Sequence, residues 1–237
     1  AHVAAAIEID GALIADARAD DDLHLAYGRA LEARANLASG AAAQRDLESA
    51  LERASLAMPE HARTADALRA VVGDELQGTF PSLRIALAAT TLQRLALPPG
   101  VDLRFGLGIG PAEEIPSAAG ALAEGPAWWA ARAAVERVEE LAAREVPQAR
   151  TWVAAAPEER AATELVRIAN AGALARDRLI GRWSDRVRRL VYGRITGATQ
   201  AELADAEGIS QSAVSQTLSA AGATAIIAGF DELVAPD

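Results

Sequence analysis

The sequence predicts an α+β protein in two parts, with strands in residues 1–150 and helices alone in residues 151–237. Apolar residues alternate without interruption over 101–110, as they do in a strand with one buried face. Residues 68–80 combine a second alternating pattern with turn-forming residues, which is typical of a β-hairpin. Beyond Pro147 the apolar spacing indicates helices. We therefore place a domain boundary between the two parts.

Each element of the first part has a local reason in the sequence. The helix 41–58 has one apolar stripe and stops at Pro59, while Pro98 closes the helix 82–97. The stripe consists of Leu47, Leu51, Ala54 and Met58. Pro126 is a favoured first-turn residue and begins another helix. In order, the predicted elements are one or two strands within 3–16, helices at 22–38 and 41–58, the hairpin 68–80, the helix 82–97, the strand 101–110 and the helix from Pro126.

The strand 101–110 has large side chains on one face only, because its even positions end in Gly106, Gly108 and Gly110. A face without Cβ atoms lets another backbone or a planar ligand come close. One interpretation is a helix packed tightly on the sheet. The other is a ligand site formed by the three glycines and Arg132 of the next helix. The sequence leaves both open.

The second part contains a pair of helices with a recognisable connection. Thr199 and Glu202 form a capping box, Gly208 permits a left-handed turn, and Ser210 caps the following helix. Ala204 is a small residue at the point where the two helices are expected to cross. The predicted core between the helices consists of Leu203, Ile209, Val214 and Leu218. This pattern is typical of a helix-turn-helix. The helices predicted in this part lie at about 157–180, 183–192, 199–207, 210–220 and 222–229.

The second helix of the pair has short polar side chains suited to a DNA major groove. They are Gln211, Ser212, Ser215, Gln216 and Ser219. The preceding segment, 176–194, holds seven arginines against two aspartates. Within it, the residues expected to neutralise DNA phosphates are Arg182, Arg186, Arg188 and Arg189. The alternatives are a solvated helix face for the charge run and a plain packing unit for the helix pair.

Composition limits the class of protein further. The net charge is −10, which argues against coating of nucleic acid by bulk electrostatics. The chain has no cysteine, which excludes disulfides and favours an intracellular protein. The apolar runs are too short for a membrane span, and the acidic N-terminal segment is unlike a secretory signal. We expect a soluble, cytoplasmic protein that makes no membrane contact.

Three N-terminal features resemble the palm domain of class III nucleotide cyclases and GGDEF-type enzymes. They are a strand ending in Asp16, the hairpin turn at Asp74, and the glycine-bearing strand followed by the helix with Arg132. The resemblance implies a ferredoxin-like, cyclase-like palm in which Asp16 and Asp74 hold Mg²⁺ against a nucleotide. Asp10 competes with Asp16, because the strand register is open. Mg²⁺ is the one cofactor that this implies, and we otherwise expect none.

The helix-turn-helix is similar to that of sigma-factor region-four-like regulators. The combination of a palm with this helix-turn-helix resembles the bacterial SatD family. The resemblance covers most of residues 60–220 and rests on the segments 72–78, 105–110, 125–132 and 208–216. It implies a DNA-binding protein linked to bacterial stress or acid tolerance, with no established catalytic activity. We therefore expect a transcriptional regulator that binds double-stranded DNA as a homodimer and uses its palm for dimerisation or for sensing a nucleotide-like ligand.

Two other classes of function stay open at this point. One is a divergent Mg²⁺-dependent nucleotide-binding enzyme that uses Asp16 and Asp74. The other is a structural adaptor whose terminal helices pack on a protein partner. The adaptor hypothesis predicts that the face with Gln211 and Gln216 is largely buried.

Overall fold

The computed structural model describes residues 2–9, 41–63, 69–72, 75–111, 113–117 and 120–236. Its strands and helices confirm the predicted α+β class. In chain order they are β1 (His2–Ile9), α1 (Ala41–Ala57), β2 (Arg69–Val72), β3 (Glu75–Phe80), α2 (Leu83–Ala96), β4 (Leu103–Gly110), β5 (Glu113–Ser117), β6 (Gly120–Glu124), α3 (Pro126–Arg144), β7 (Thr151–Ala155), α4 (Thr163–Ile180), α5 (Asp185–Ile195), α6 (Gln200–Glu207), α7 (Gln211–Ala220) and α8 (Ala223–Val234).

Five strands form one mixed sheet in the order β2-β3-β1-β4-β7. β1 lies antiparallel between β3 and β4, so that Ala5 is opposite both Gly78 and Leu107. β2 and β3 pair as the predicted hairpin. β5 and β6 form a separate antiparallel pair that the sequence pattern does not predict.

The odd-numbered residues of β4 supply the core on one face of the sheet. Leu103 and Phe105 are fully buried and pack in one cluster with Leu47 and Leu51 of α1. All four residues of the predicted α1 stripe are buried. Farther along β4, Leu107 packs in the main cluster together with α2, α4 and α8. Burial of each such large side chain stabilises the fold by about 1.5–3 kcal/mol.

The glycine face of β4 is covered by α3. A Cβ atom placed at Gly108 would lie 1.9 Å from the carbonyl oxygen of Ala127, and one at Gly106 would lie 2.1 Å from that of Ala131. At Gly110 the nearest neighbour is the Cβ of Ala156, at 2.9 Å. The structure thus corrects the ligand-site interpretation of these glycines, because the α3 backbone fills the space that a planar ligand would need.

Residues 151–155 correct the prediction that only helices follow residue 150. They form β7, which pairs with β4 in parallel, with Val153 opposite Leu107. Val153 is buried in the same cluster as Ala169 of α4 and Phe230 of α8. The C-terminal helices therefore share a hydrophobic core with the sheet.

In the described part of the chain, no single helix combines the length and hydropathy of a membrane span. α7 and α8 reach that composition only when taken together, and they are bent by 79° at the break between them.

Candidate nucleic-acid interface

The last four helices share an apolar cluster with Leu95 of α2 and Ile180 of α4. Leu190 and Val191 of α5 are fully buried in it. The predicted core between α6 and α7 is confirmed: its residues Leu203, Val214 and Leu218 are buried, and Ile209 packs against the same cluster. This core fixes the orientation of α7 relative to α5 and α6.

Local hydrogen bonds define the start of α6 and the start of α7, as predicted. Thr199 Oγ1 accepts from the backbone N–H of Glu202 at 3.2 Å, and the Glu202 carboxylate accepts from the backbone N–H of Thr199 at 2.8 Å. The second bond holds the pKa of Glu202 below its usual range. Gly208 ends α6 in the left-handed conformation, with φ 64° and ψ 38°. Ser210 Oγ accepts from the backbone N–H of Ala213 at 3.2 Å and starts α7.

α7 is amphipathic, and its polar face points outward. Val214 and Leu218 are buried on the inner side. The five predicted base-contacting residues are all exposed: Gln211, Ser212, Ser215, Gln216 and Ser219. All five therefore lie on the solvent-exposed side of the helix.

Two of the predicted phosphate-contacting arginines lie beside the turn that leads into α7. Arg186 and Arg189 are 55% and 56% exposed, and both are joined to Glu207, the last residue of α6. Arg189 makes two hydrogen bonds to the Glu207 carboxylate, of 2.6 and 2.8 Å, and Arg186 lies 3.3 Å from it. These bonds hold the pKa of Glu207 below its usual range. One carboxylate is thus shared by two exposed guanidinium groups.

The other members of the arginine run are placed differently. Arg182 is exposed in the turn between α4 and α5. Arg188 is only 16% exposed and pairs with Asp185, so it does not lie on the open surface with Arg186 and Arg189. Arg176 is 10% exposed and pairs with the fully buried Asp177. The charge run is therefore divided between the surface and the interior, which its spacing alone does not reveal.

Asp177 organises a buried polar network that the sequence does not predict. Its carboxylate accepts from Arg94 Nη1 at 2.6 Å, from the backbone N–H of Arg150 at 2.7 Å and from Arg176 Nη2 at 3.1 Å. Arg176 also donates to Thr151 Oγ1, the first residue of β7. The network ties α2, β7 and α4 together. The one local signal is an arginine, Arg94, near the end of a mostly apolar helix.

The palm-derived candidates are only partly covered by the structure. Asp16 and Asp74 lie outside the described residues, as does Asp10. β1 ends at Ile9, directly before Asp10 in the sequence. Arg132 is exposed on α3, whereas the glycines that were expected beside it face the α3 backbone. Among the described residues, there is no cluster of three or more His, Asp or Glu side chains that could hold a metal ion.

The fold and these helices define the chain as an α+β protein that ends in a compact helical unit. The model of the SatD family matches residues 31–227. The chain therefore belongs to the SatD family, as its motifs indicate. No curated protein and no solved structure matches it.

Proposed function

We propose that this SatD family protein is a DNA-binding transcriptional regulator in which α6 and α7 form a helix-turn-helix, with α7 as the recognition helix. The observation that supports this most is the exposure of all five predicted base-contacting residues of α7, while its apolar face is held in the core. Short polar side chains on a helix held in this way reach base edges in a major groove. The exposure is the opposite of what an adaptor with a buried α7 face requires.

The charge distribution supports the same proposal. Arg186 and Arg189 stand beside the start of α7, where helices of this type make their base and phosphate contacts. The chain as a whole is acidic, with a net charge of −10, and so repels phosphates away from these arginines. Contact with DNA is thereby directed to the surface next to α7.

We further propose that the regulator acts as a homodimer. A single recognition helix of ten residues gives a small interface, and two copies on half-sites one DNA turn apart supply the missing affinity. The palm region is the proposed dimerisation or ligand-sensing part. Cytoplasmic location belongs to the same proposal, since that is where the DNA is.

A titration with a mixed-sequence DNA duplex at two salt concentrations tests the proposal. Raising salt from about 50 to about 200 mM should weaken binding roughly tenfold or more, because phosphate contacts release counterions. Replacing Arg186 and Arg189 together by alanine should weaken binding and reduce the salt slope by about two.

The matched control is the double replacement of Arg144 and Arg167 by alanine. Both are exposed on other helices, so the control removes the same charge and should leave the salt slope unchanged. A duplex affinity that does not depend on salt concentration, or that decreases equally in both double variants, would refute the proposed interface.

A further inference from the structure

A polar cavity of about 380 Å³ lies where the sheet and the C-terminal helices meet. Its wall includes Arg94 at the end of α2, Asp102 before β4, Arg150 before β7, and Trp183 and Arg188 from the start of the α5 region. Three guanidinium groups from three distant parts of the chain thus border one space. None of them belongs to the exposed surface around α7.

Arg94 is the most informative of these residues. It is 5% exposed, and its one protein acceptor among the described residues is Asp177. A guanidinium has five N–H donors in a fixed plane, so most of them remain available. Each nitrogen atom of this guanidinium group either makes a hydrogen bond or is accessible to solvent. The remaining donors therefore open to the cavity that the side chain borders.

The cavity wall carries a surplus of positive charge. Arg150 pairs with Asp102, Arg188 pairs with Asp185, and Arg94 shares Asp177 with Arg176. The wall itself contains the guanidinium groups of Arg94, Arg150 and Arg188 and the carboxylate of Asp102, whereas Arg176, Asp177 and Asp185 do not line it. Burial lowers the pKa of Arg94, although the neighbouring carboxylate of Asp177 raises it in part. A buried surplus of this kind is costly unless an anion offsets it.

We propose that this cavity binds the phosphate group of a small phosphorylated molecule. Guanidinium groups match phosphate oxygens in pairs of parallel hydrogen bonds, and this geometry is why arginine is the preferred residue for phosphate. The volume is at the lower end of the range for small-molecule sites, so the ligand is small. The phosphate contacts the free donors of Arg94 and Arg188, and Trp183 borders the rest of the ligand.

The site is also placed to affect α5. Arg188 is the α5 residue that lines the cavity, and it lies on the same helix as Arg186 and Arg189. An occupied cavity would thus hold α5 against the sheet. This regulatory role rests on the proposed DNA-binding function, whereas phosphate binding does not and is measured without DNA.

The experiment is a calorimetric titration of the full chain with inorganic phosphate at constant ionic strength, with thermal unfolding measured in parallel. Saturable binding and a rise in Tm are expected for the wild type. Arg188→Ala leaves the Arg94–Asp177 pair in place and should weaken phosphate binding at least tenfold. Arg178→Ala removes an exposed arginine of α4 and should leave binding unchanged.

Arg94→Gln should abolish phosphate binding, and Arg188→Ala decides the question even where Arg94→Gln fails to fold. Titration with succinate, an anion of similar charge, tests the chemistry of the ligand. Equal phosphate binding in Arg188→Ala and the wild type, the absence of saturable binding, or succinate binding as tight as phosphate would each overturn the proposal.

Discussion

Glycine at position 108 decides how closely α3 can approach the sheet. Because a Cβ there would lie 1.9 Å from the Ala127 carbonyl oxygen, Gly108→Ala forces the helix and strand apart. We expect a loss of about 1–3 kcal/mol in the free energy of unfolding, measured by urea denaturation.

Gly172→Ala is the control for this substitution. Gly172 lies within α4, and a Cβ there meets nothing within 4 Å. Alanine should stabilise the protein by about 0.5–1 kcal/mol, because glycine is the weaker helix former. If the two variants changed the stability alike, close packing of α3 on β4 would not be the reason for Gly108.

Individual residues differ in how far the sequence can place them. The glycines of β4 were predicted to mark a close approach, because alternation assigns them to one face, but the sequence could not say what approaches. Asp177 was not predicted at all. Its partner Arg94 is 83 residues away in the chain, and its neighbours Arg176 and Arg178 suggest a solvated charge run. Buried pairs of this kind depend on tertiary structure.

Elements with local signals were predicted well, and elements without them were missed. The capping box at Thr199, the left-handed Gly208 and the Ser210 cap depend on neighbouring residues, so the bounds of α6 and α7 follow from the sequence. β7 has only five residues and is defined by its pairing with β4, which a one-dimensional pattern does not contain. The β5–β6 pair, which includes a proline, has no clear alternation either.

The α6 helix also contains an acidic group that, under the proposed function, competes with DNA phosphates for two arginines. Glu207→Gln removes the charge that Arg186 and Arg189 share, so both guanidinium groups become available to phosphates. We expect duplex affinity to rise several-fold at low salt and the salt dependence to become steeper. The measurement is the same duplex titration.

Glu202→Gln provides the control, since it makes the same charge change in the same helix. Glutamine can replace glutamate in a capping box, and Glu202 makes no contact with Arg186 or Arg189 in the described structure. Its duplex affinity should change little. A gain of equal size in both variants would assign the effect to net charge and not to the Glu207 contacts.

At the scale of the whole molecule, the C-terminal helices are built onto the sheet. The main core includes β4, β7, α2, α4 and α8, so a boundary at residue 150 separates elements that share their buried surface. The sequence suggests two independent parts, because its periodicity changes there, but periodicity does not report which apolar faces meet. The shared core matters for the proposed function, because α7 packs in a neighbouring cluster with α8, which is itself part of that core.

The central claim is that the outer face of α7 contacts DNA, and protection of a single cysteine tests it most directly. The chain has no cysteine of its own, so Ser215→Cys creates a unique reactive group on this face. A second variant, Ala133→Cys, places the same group on the exposed side of α3. We predict that a DNA duplex at low salt slows maleimide alkylation of the cysteine at 215 at least tenfold and leaves that at 133 unchanged. Alkylation at 215 that proceeds at the same rate with and without bound duplex would contradict the account.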